Sequence, residues 1–487
     1  MSTPTCLRCL KRSFRSIDKA EHLPITQRAA FSSTPTHNAV QKKVVAKPTA
    51  KAGRTLVLAK RQRQVTQRPP APGERKALRK RIVLSNTNAL EVQGLQDLTG
   101  DKLSRNEGGG IALEEFAGRV LGFNNNTVDG LRALEAFRPT QGWSLFRRPA
   151  SLVRQETVQL ARDMDKAVSE KRVTSKVIFG DAQSGKSVLL LQAQAMAFVK
   201  GWIVLHFPEA QDLTNAHTSY QPITQIGETI YIQPHYTAKL LANFASANQK
   251  ILEKLRLSQQ HQLPIPIQPN ISLSRFVDLG AKDPELAWPI WQALWSELTA
   301  PSQSEGDGLK RPPVLISMDG VDKAMRMCAY LDREAKPIHA HELGLIKQFC
   351  GYLSGDVKLA NGGMVIAATC GSNRAAAPTL DWCLKYKHVS QHNSEGSTGD
   401  QAGKALPLPQ WDPYVVKDAR VEAALKDVEA VKLRGLTKDE ARGVMEYYAQ
   451  SGLFREAVTD GMVSEKWTLA GPGIIGQLEK ASVRARF

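Results

Sequence analysis

Across 487 residues the chain carries 65 Lys and Arg against 47 Asp and Glu, a formal net charge of +18, with 42% hydrophobic residues. That composition permits a sizeable core in roughly two to four domains. It excludes a spanning helix, because no apolar run approaches the ~18 residues a bilayer demands.

The charge is unevenly placed. Residues 1–86 hold 20 basic and 3 acidic residues, which leaves 45 against 44 in the remainder, so a nearly neutral body carries a basic arm. Residues 1–33 contain Arg8, Lys11, Arg12, Arg15, Lys19 and Arg28 among Ser, Thr, Leu and Phe, opposed only by Asp18 and Glu21. This Arg-rich, acid-poor profile is expected of a mitochondrial transit peptide, with Arg28-Ala-Ala-Phe-Ser-Ser33 resembling a processing site; a disordered basic tail is the plainer reading. Cys6 and Cys9 form a lone C-x-x-C with no second pair nearby, a poor zinc site. The other cysteines, Cys328, Cys350, Cys370 and Cys383, sit among apolar neighbours and read as reduced core thiols.

From 34 to 86 the chain stays basic through Lys42-Lys43, Arg75-Lys76 and Arg79-Lys80-Arg81. It has few large apolar residues to offset the entropy of ordering, so an extended, disordered arm is expected. Phosphates of a structured RNA suit it, since it lacks the aromatic residues that stack on single-stranded bases; a solubilising linker is the alternative. Residues 87–165 read as mainly helical, with helices over Leu113–Leu121 and Thr157–Met164.

Residues 166–385 alternate strand and helix. Val173–Phe179, Trp202–Phe207, Val314–Met318 and Met364–Ala368 are apolar enough for buried strands. Helices are expected over Ser187–Val199, Tyr236–Leu257, Leu286–Leu298 and Leu343–Tyr352. The alternation predicts an α/β fold, a parallel sheet flanked by helices. Trp288, Trp291 and Trp295 at helical spacing read as a packed face. Residues 386–413 read as a surface loop. Residues 414–487 read as a small C-terminal helical module, where Thr437-Lys-Asp-Glu440 is a capping box.

The chemistry concentrates where the first of these strands meets its helix. Gly180, Asp181, Ala182, Gln183, Ser184, Gly185, Lys186 and Ser187 spell G-x-x-x-x-G-K-S, a phosphate-binding P-loop. The glycines let successive N–H groups turn inward, Lys186 reaches the β- and γ-phosphates, and the Ser187 hydroxyl is a candidate Mg2+ ligand. Asp319 ends the third strand and is the candidate acid that holds Mg2+. P-loop ATPases with an extra strand between these motifs commonly carry Glu next, as the base that orients water; here it is Gly320, with Asp322 two residues further. Ser372, Asn373 and Arg374 follow the last strand as candidates for a polar sensor of the terminal phosphate, a solvated loop being the alternative. Nucleotide binding with little hydrolysis is the expectation.

The run Phe179–Ser187, then Trp202-Ile-Val-Leu-His-Phe-Pro-Glu-Ala210, then Pro313-Val-Leu-Ile-Ser-Met-Asp-Gly-Val-Asp322, resembles the death-associated protein three family, the GTP-binding protein of the mitochondrial small ribosomal subunit. The resemblance covers about residues 110–480. It implies an AAA+-like P-loop NTPase fold, bound GTP or GDP with Mg2+, and a structural place among small-subunit rRNA and ribosomal proteins near the bridges to the large subunit. Guanine comes from the resemblance alone, because no clear Asn-Lys-x-Asp motif is present. An active matrix AAA+-type ATPase is the alternative.

Overall fold

The computed structural model describes residues 82–106, 110–225, 227–268, 270–302, 308–371, 376–395 and 406–483. The expected transit peptide, nearly all of the basic arm, the C-x-x-C pair and the segment Ser372–Arg374 lie outside the described residues. No helix among the described residues is long and apolar enough to cross a membrane.

Five parallel strands form the central sheet: β1 (Val173–Gly180), β2 (Ile203–Phe207), β3 (Val314–Asp319), β4 (Gly363–Ala368) and β5 (Glu429–Leu433), in the spatial order β5-β1-β4-β3-β2. Every residue of β2, β3 and β4 is buried. Their near-continuous Val, Ile, Leu and Met runs are what a parallel sheet covered on both faces requires.

Period-2 alternation divides each strand between two cores. Val177, Phe179, Leu205, Ile316, Met318 and Val365 face one core. It is built with α3 (Pro234–Leu252), α4 (Leu273–Lys282), α5 (Pro284–Thr299), α6 (Gly344–Leu353) and α7 (Pro378–Glu395). Ile178, Val204, Leu315, Met364 and Ile366 face the other, built with α1 (Gln155–Ser169) and α2 (Lys186–Val199). The tryptophan stripe Trp288, Trp291 and Trp295 is buried in the first core, as a packed helix face should be. Cys328, Cys350 and Cys383 are buried free thiols; burial pushes the Cys350 thiol up to about 12.

Three segments differ from the sequence reading. Leu113–Leu121 is a 3-10 turn, Ala112–Phe116, followed by a short strand, Val120–Gly122, paired antiparallel with Ala150–Leu152. Gly118, at φ +80°, ends the helical course between them. Residues 386–395 continue α7 rather than opening a surface loop. The stretch read as a C-terminal helical module supplies β5, whose two buried residues in five make too weak an alternation to announce a strand. After β5 the chain does become helical, through α8 (Lys438–Gln450), a helix at Asp460–Leu469, and α9 (Ile475–Ser482). Thr437 and Glu440 form the expected capping box at the start of α8.

A buried carboxylate holds the far end of the first core. Glu297 on α5 accepts from the Ser258 and Gln259 N–H groups at 2.9 and 3.0 Å, and pairs with the buried Arg311. Burial pushes its pKa up, but the hydrogen bonds from Ser258, His261 and Gln259 outweigh burial and hold it below its ordinary 4.5. The unfolded chain therefore takes up this proton first as pH falls, and the stability supplied above pH 4.5 is lost between that pH and the lower folded value. Glu297→Gln is expected to cost about 1–3 kcal/mol at neutral pH and to flatten the acid limb of stability, measured as denaturation midpoints from pH 7 to 3. An unchanged acid limb would rule out Glu297 as its source.

Candidate nucleotide site

Sheet register brings the motifs together. Ala368 lies opposite both Ile178 and Asp319, so β1, β3 and β4 end on one edge. The connections after them are tied across that edge: Thr369 N–H donates to Ile178 O at 3.0 Å, and Gly320 N–H to Ala368 O at 2.8 Å. The loop 180–187, Asp319 and Thr369–Gly371 consequently share one end of the sheet.

The loop has the backbone its glycines permit. Gly180 has φ +146° and Gly185, the N-cap of α2, has φ +99°; Gln183 takes φ +63° despite its side chain. Lys186 is buried and donates to Gly180 O at 3.0 Å and Asp181 O at 2.6 Å, folded back on its own loop. Gly371 abuts the loop so closely that a Cβ there would stand 2.9 Å from Ala182 Cα.

Lys186, Ser187, Asp319, Thr369 and Gly371 line a cavity of about 330 Å³. Aromatic and aliphatic side chains line it as well: Trp143 and Phe146 from the N-terminal segment, Val444, Tyr447 and Tyr448 from α8, and Ile475 from α9, the last of these beside Gly185 of the loop. Phe146 lies 5.1 Å from the Tyr447 ring and stacks on Tyr448 at 5.7 Å. Phosphate-binding groups and ring faces in one cavity suit a nucleotide, with phosphates on the loop and a base against the rings. The Ser187 hydroxyl and Asp319 carboxylate are hard oxygen donors of the kind Mg2+ takes. Among the described residues no cluster of three or more His, Cys, Asp or Glu suits a metal, so a cation here would need phosphate oxygens as well. A groove of about 600 Å³ beside Gln249, Glu253 and Arg256 is larger, but it is away from the P-loop.

Gly320 carries no carboxylate, and Asp322 is engaged by the connection after β4. Gly320 sits at φ +76°, a conformation in which a Glu would be strained. Asp322 is fully buried and accepts the Cys370 N–H at 2.6 Å, bracing the connection after β4. It acts as a strut where attacking water would need a base. Of the expected site residues, Gly180–Ser187 and Asp319 converge, and Asn373 falls outside the described residues.

Three features lacked any local motif. Arg138 reaches across to Asp319, with Nη2 2.7 Å from Oδ2. Arg154, buried just before α1, donates to Ser184 O at 3.2 Å and Arg434 O at 2.9 Å, linking the P-loop to the chain beyond β5. On α9, Gly476 N–H donates to Gln183 O at 3.1 Å and Lys480 Nζ to Gln183 Oε1 at 3.2 Å, so the last helix rests on the loop. All of these partners are far apart along the chain, beyond the reach of spacing rules.

A family model described as mitochondrial ribosomal death-associated protein 3 matches residues 151–481. Two curated relatives are both named small ribosomal subunit protein mS29. The Neurospora crassa protein is 42% identical over 418 residues, spanning 85% of this chain and 83% of the relative. The Schizosaccharomyces pombe protein is 23% identical over 340 residues, spanning 68% of this chain and 64% of the relative. Among solved structures, a Walker-type ATPase of Pyrococcus abyssi aligns with 67% of this chain and 65% of its own, at 12% identity and a TM-score of 0.30, a likeness too slight to bear on the chemistry.

Proposed function

Because the chain belongs to the mitochondrial ribosomal death-associated protein 3 family, we propose that it is a structural component of the mitochondrial small ribosomal subunit whose P-loop holds a guanine nucleotide with Mg2+. Family membership also gives the compartment: the protein is mitochondrial. The basic arm binds small-subunit rRNA, and the folded body meets neighbouring ribosomal proteins, with the large-subunit bridges close by.

One observation carries the nucleotide reading: the P-loop, Ser187 and Asp319 line one cavity together with Trp143, Phe146, Tyr447 and Tyr448. The strand order places β4 between the P-loop strand and the Asp319 strand, the arrangement of AAA+-like P-loop NTPases. Loop N–H groups and Lys186 hold phosphates, while Ser187 and Asp319 hold the metal, which neutralises phosphate charge when bound. The ring faces accept either purine, and guanine follows the family resemblance. With Gly320 turned at φ +76° and Asp322 bonded to Cys370, neither position after Asp319 supplies the usual base, and the nucleotide serves as a ligand joining three parts of the fold.

The test is titration with a fluorescent GTP analogue in Mg2+. Lys186→Ala is expected to lose roughly tenfold to a hundredfold in affinity, the worth of charge-assisted bonds to phosphate, while its circular dichroism stays that of the parent. Absence of binding by the parent protein, or equal binding by Lys186→Ala, would defeat the reading.

A further inference from the structure

The geometry points to Arg138 as the residue that distinguishes nucleoside triphosphate from diphosphate, acting as the counter-ion of Asp319 until a terminal phosphate and its metal displace it. The inference rests on the nucleotide reading above and adds a phosphate-sensing residue outside every recognised motif.

Asp319 is a carboxylate with a side chain only 5% exposed at the edge of the cavity, and it needs a cation. In the structure that cation is Arg138, 2.7 Å away, whose same Nη2 also donates to Pro208 O at 3.1 Å after β2. Arg138 lines the cavity together with Lys186 and Ser187 and is itself 22% exposed. The oxygen it occupies belongs to the carboxylate assigned to the metal, so guanidinium and hydrated Mg2+ compete for one partner.

The backbone that carries the arginine is held in place. Its backbone N–H is bonded to Gln141 Oε1 at 2.8 Å, closing a 3-10 turn, and the Trp143 indole donates to the same oxygen at 2.7 Å. Because Arg138 lines the cavity, a guanidinium released from Asp319 can turn to the phosphates held there. Its planar fork matches phosphate oxygens in pairs, which a lysine does not. A diphosphate ends closer to the P-loop and supplies no such oxygens at the Asp319 end. Discrimination then comes from the same chain, with no arginine required from a neighbouring copy.

The experiment measures dissociation constants for GTP and GDP, each with Mg2+ and with EDTA, for the full chain, Arg138→Gln, Arg138→Lys and Lys186→Ala. Arg138→Gln is expected to weaken GTP by about tenfold and leave GDP within about threefold. Its dependence on Mg2+ should rise, since the metal becomes the sole cation for Asp319. Arg138→Lys keeps the ion pair and the fold but loses the fork, and should show the same loss of GTP preference in smaller measure. It serves as the deciding variant if Arg138→Gln does not fold. If the parent binds, Lys186→Ala binds more weakly, and both Arg138 variants keep the parental GTP-to-GDP ratio, the Arg138 proposal fails while the nucleotide site stands. Failure of the parent to bind either nucleotide would overturn both.

Discussion

Lys176→Ala is expected to destabilise the protein by about 3–5 kcal/mol, the usual cost of stranding a buried charge. Lys176 sits in the middle of β1 with a side chain 1% exposed, a position that hydrophobic burial alone would give to Val or Ile. Its Nζ lies 2.9 Å from Asp163 Oδ2 on α1 and 2.6 Å from Glu429 Oε2 on β5. Register makes this possible, since Glu429 lies directly opposite Lys176 in the parallel ladder. One ammonium thus ties the P-loop strand to the helix beneath it and to the edge strand beside it. Removal leaves Asp163 buried without its cation, whereas the half-exposed Glu429 can turn to water. The double variant Lys176→Met, Asp163→Leu removes both buried charges at similar volume and should recover more than half of the loss, by urea denaturation. A Lys176→Ala midpoint equal to that of the parent would show that the two carboxylates are satisfied without it.

The sequence marked those parts of the molecule whose physics is local. Strands β2, β3 and β4 were legible because buried parallel strands are near-continuous apolar runs, β1 because Val177-Ile-Phe179 leads straight into the P-loop, and α2 and α5 because their apolar residues recur at helical spacing. The P-loop was legible because backbone geometry demands Gly180 and Gly185 at a fixed interval, and Asp319 because it ends an apolar strand. The edge strand β5 escaped because Glu429-Ala-Val-Lys-Leu433 faces solvent on much of its length and reads as loop or helix. The aromatic wall escaped for a different reason. Phe146 and Tyr447 lie at opposite ends of the folded body's sequence, and only the return of the chain after β5 brings them within 5.1 Å. Arg138 and Arg154 likewise act through partners chosen by tertiary packing, so nothing in their neighbours along the chain distinguishes them from surface arginines.

Gly180→Ala is the second large effect, because one methyl group strikes the loop and the wall together. At φ +146° an L-residue is strained, and the new Cβ would stand 2.4 Å from the Leu433 carbonyl oxygen. Leu433 is the residue paired opposite Gly180 at the end of β5, so the clash is with backbone that cannot rotate away. From Leu433 the chain runs directly through Arg434 and Gly435, whose carbonyls receive Arg154, to Leu436, which donates its N–H to Gly473 O at 2.7 Å ahead of α9. Pushing β5 aside therefore shifts the anchor of the helices that carry Tyr447 and Ile475, at the same moment as it distorts the loop that would hold phosphate. Strain and overpacking together are expected to cost about 2–4 kcal/mol, and nucleotide should no longer raise the denaturation midpoint. Gly201→Ala is the matched control: Gly201 has φ +72° but nothing within 4 Å of the place its new methyl group would take, so it carries strain without the clash. It should cost about 1 kcal/mol and keep the nucleotide effect. If Gly180→Ala and Gly201→Ala respond alike to nucleotide, contact between β5 and the P-loop does not control the site.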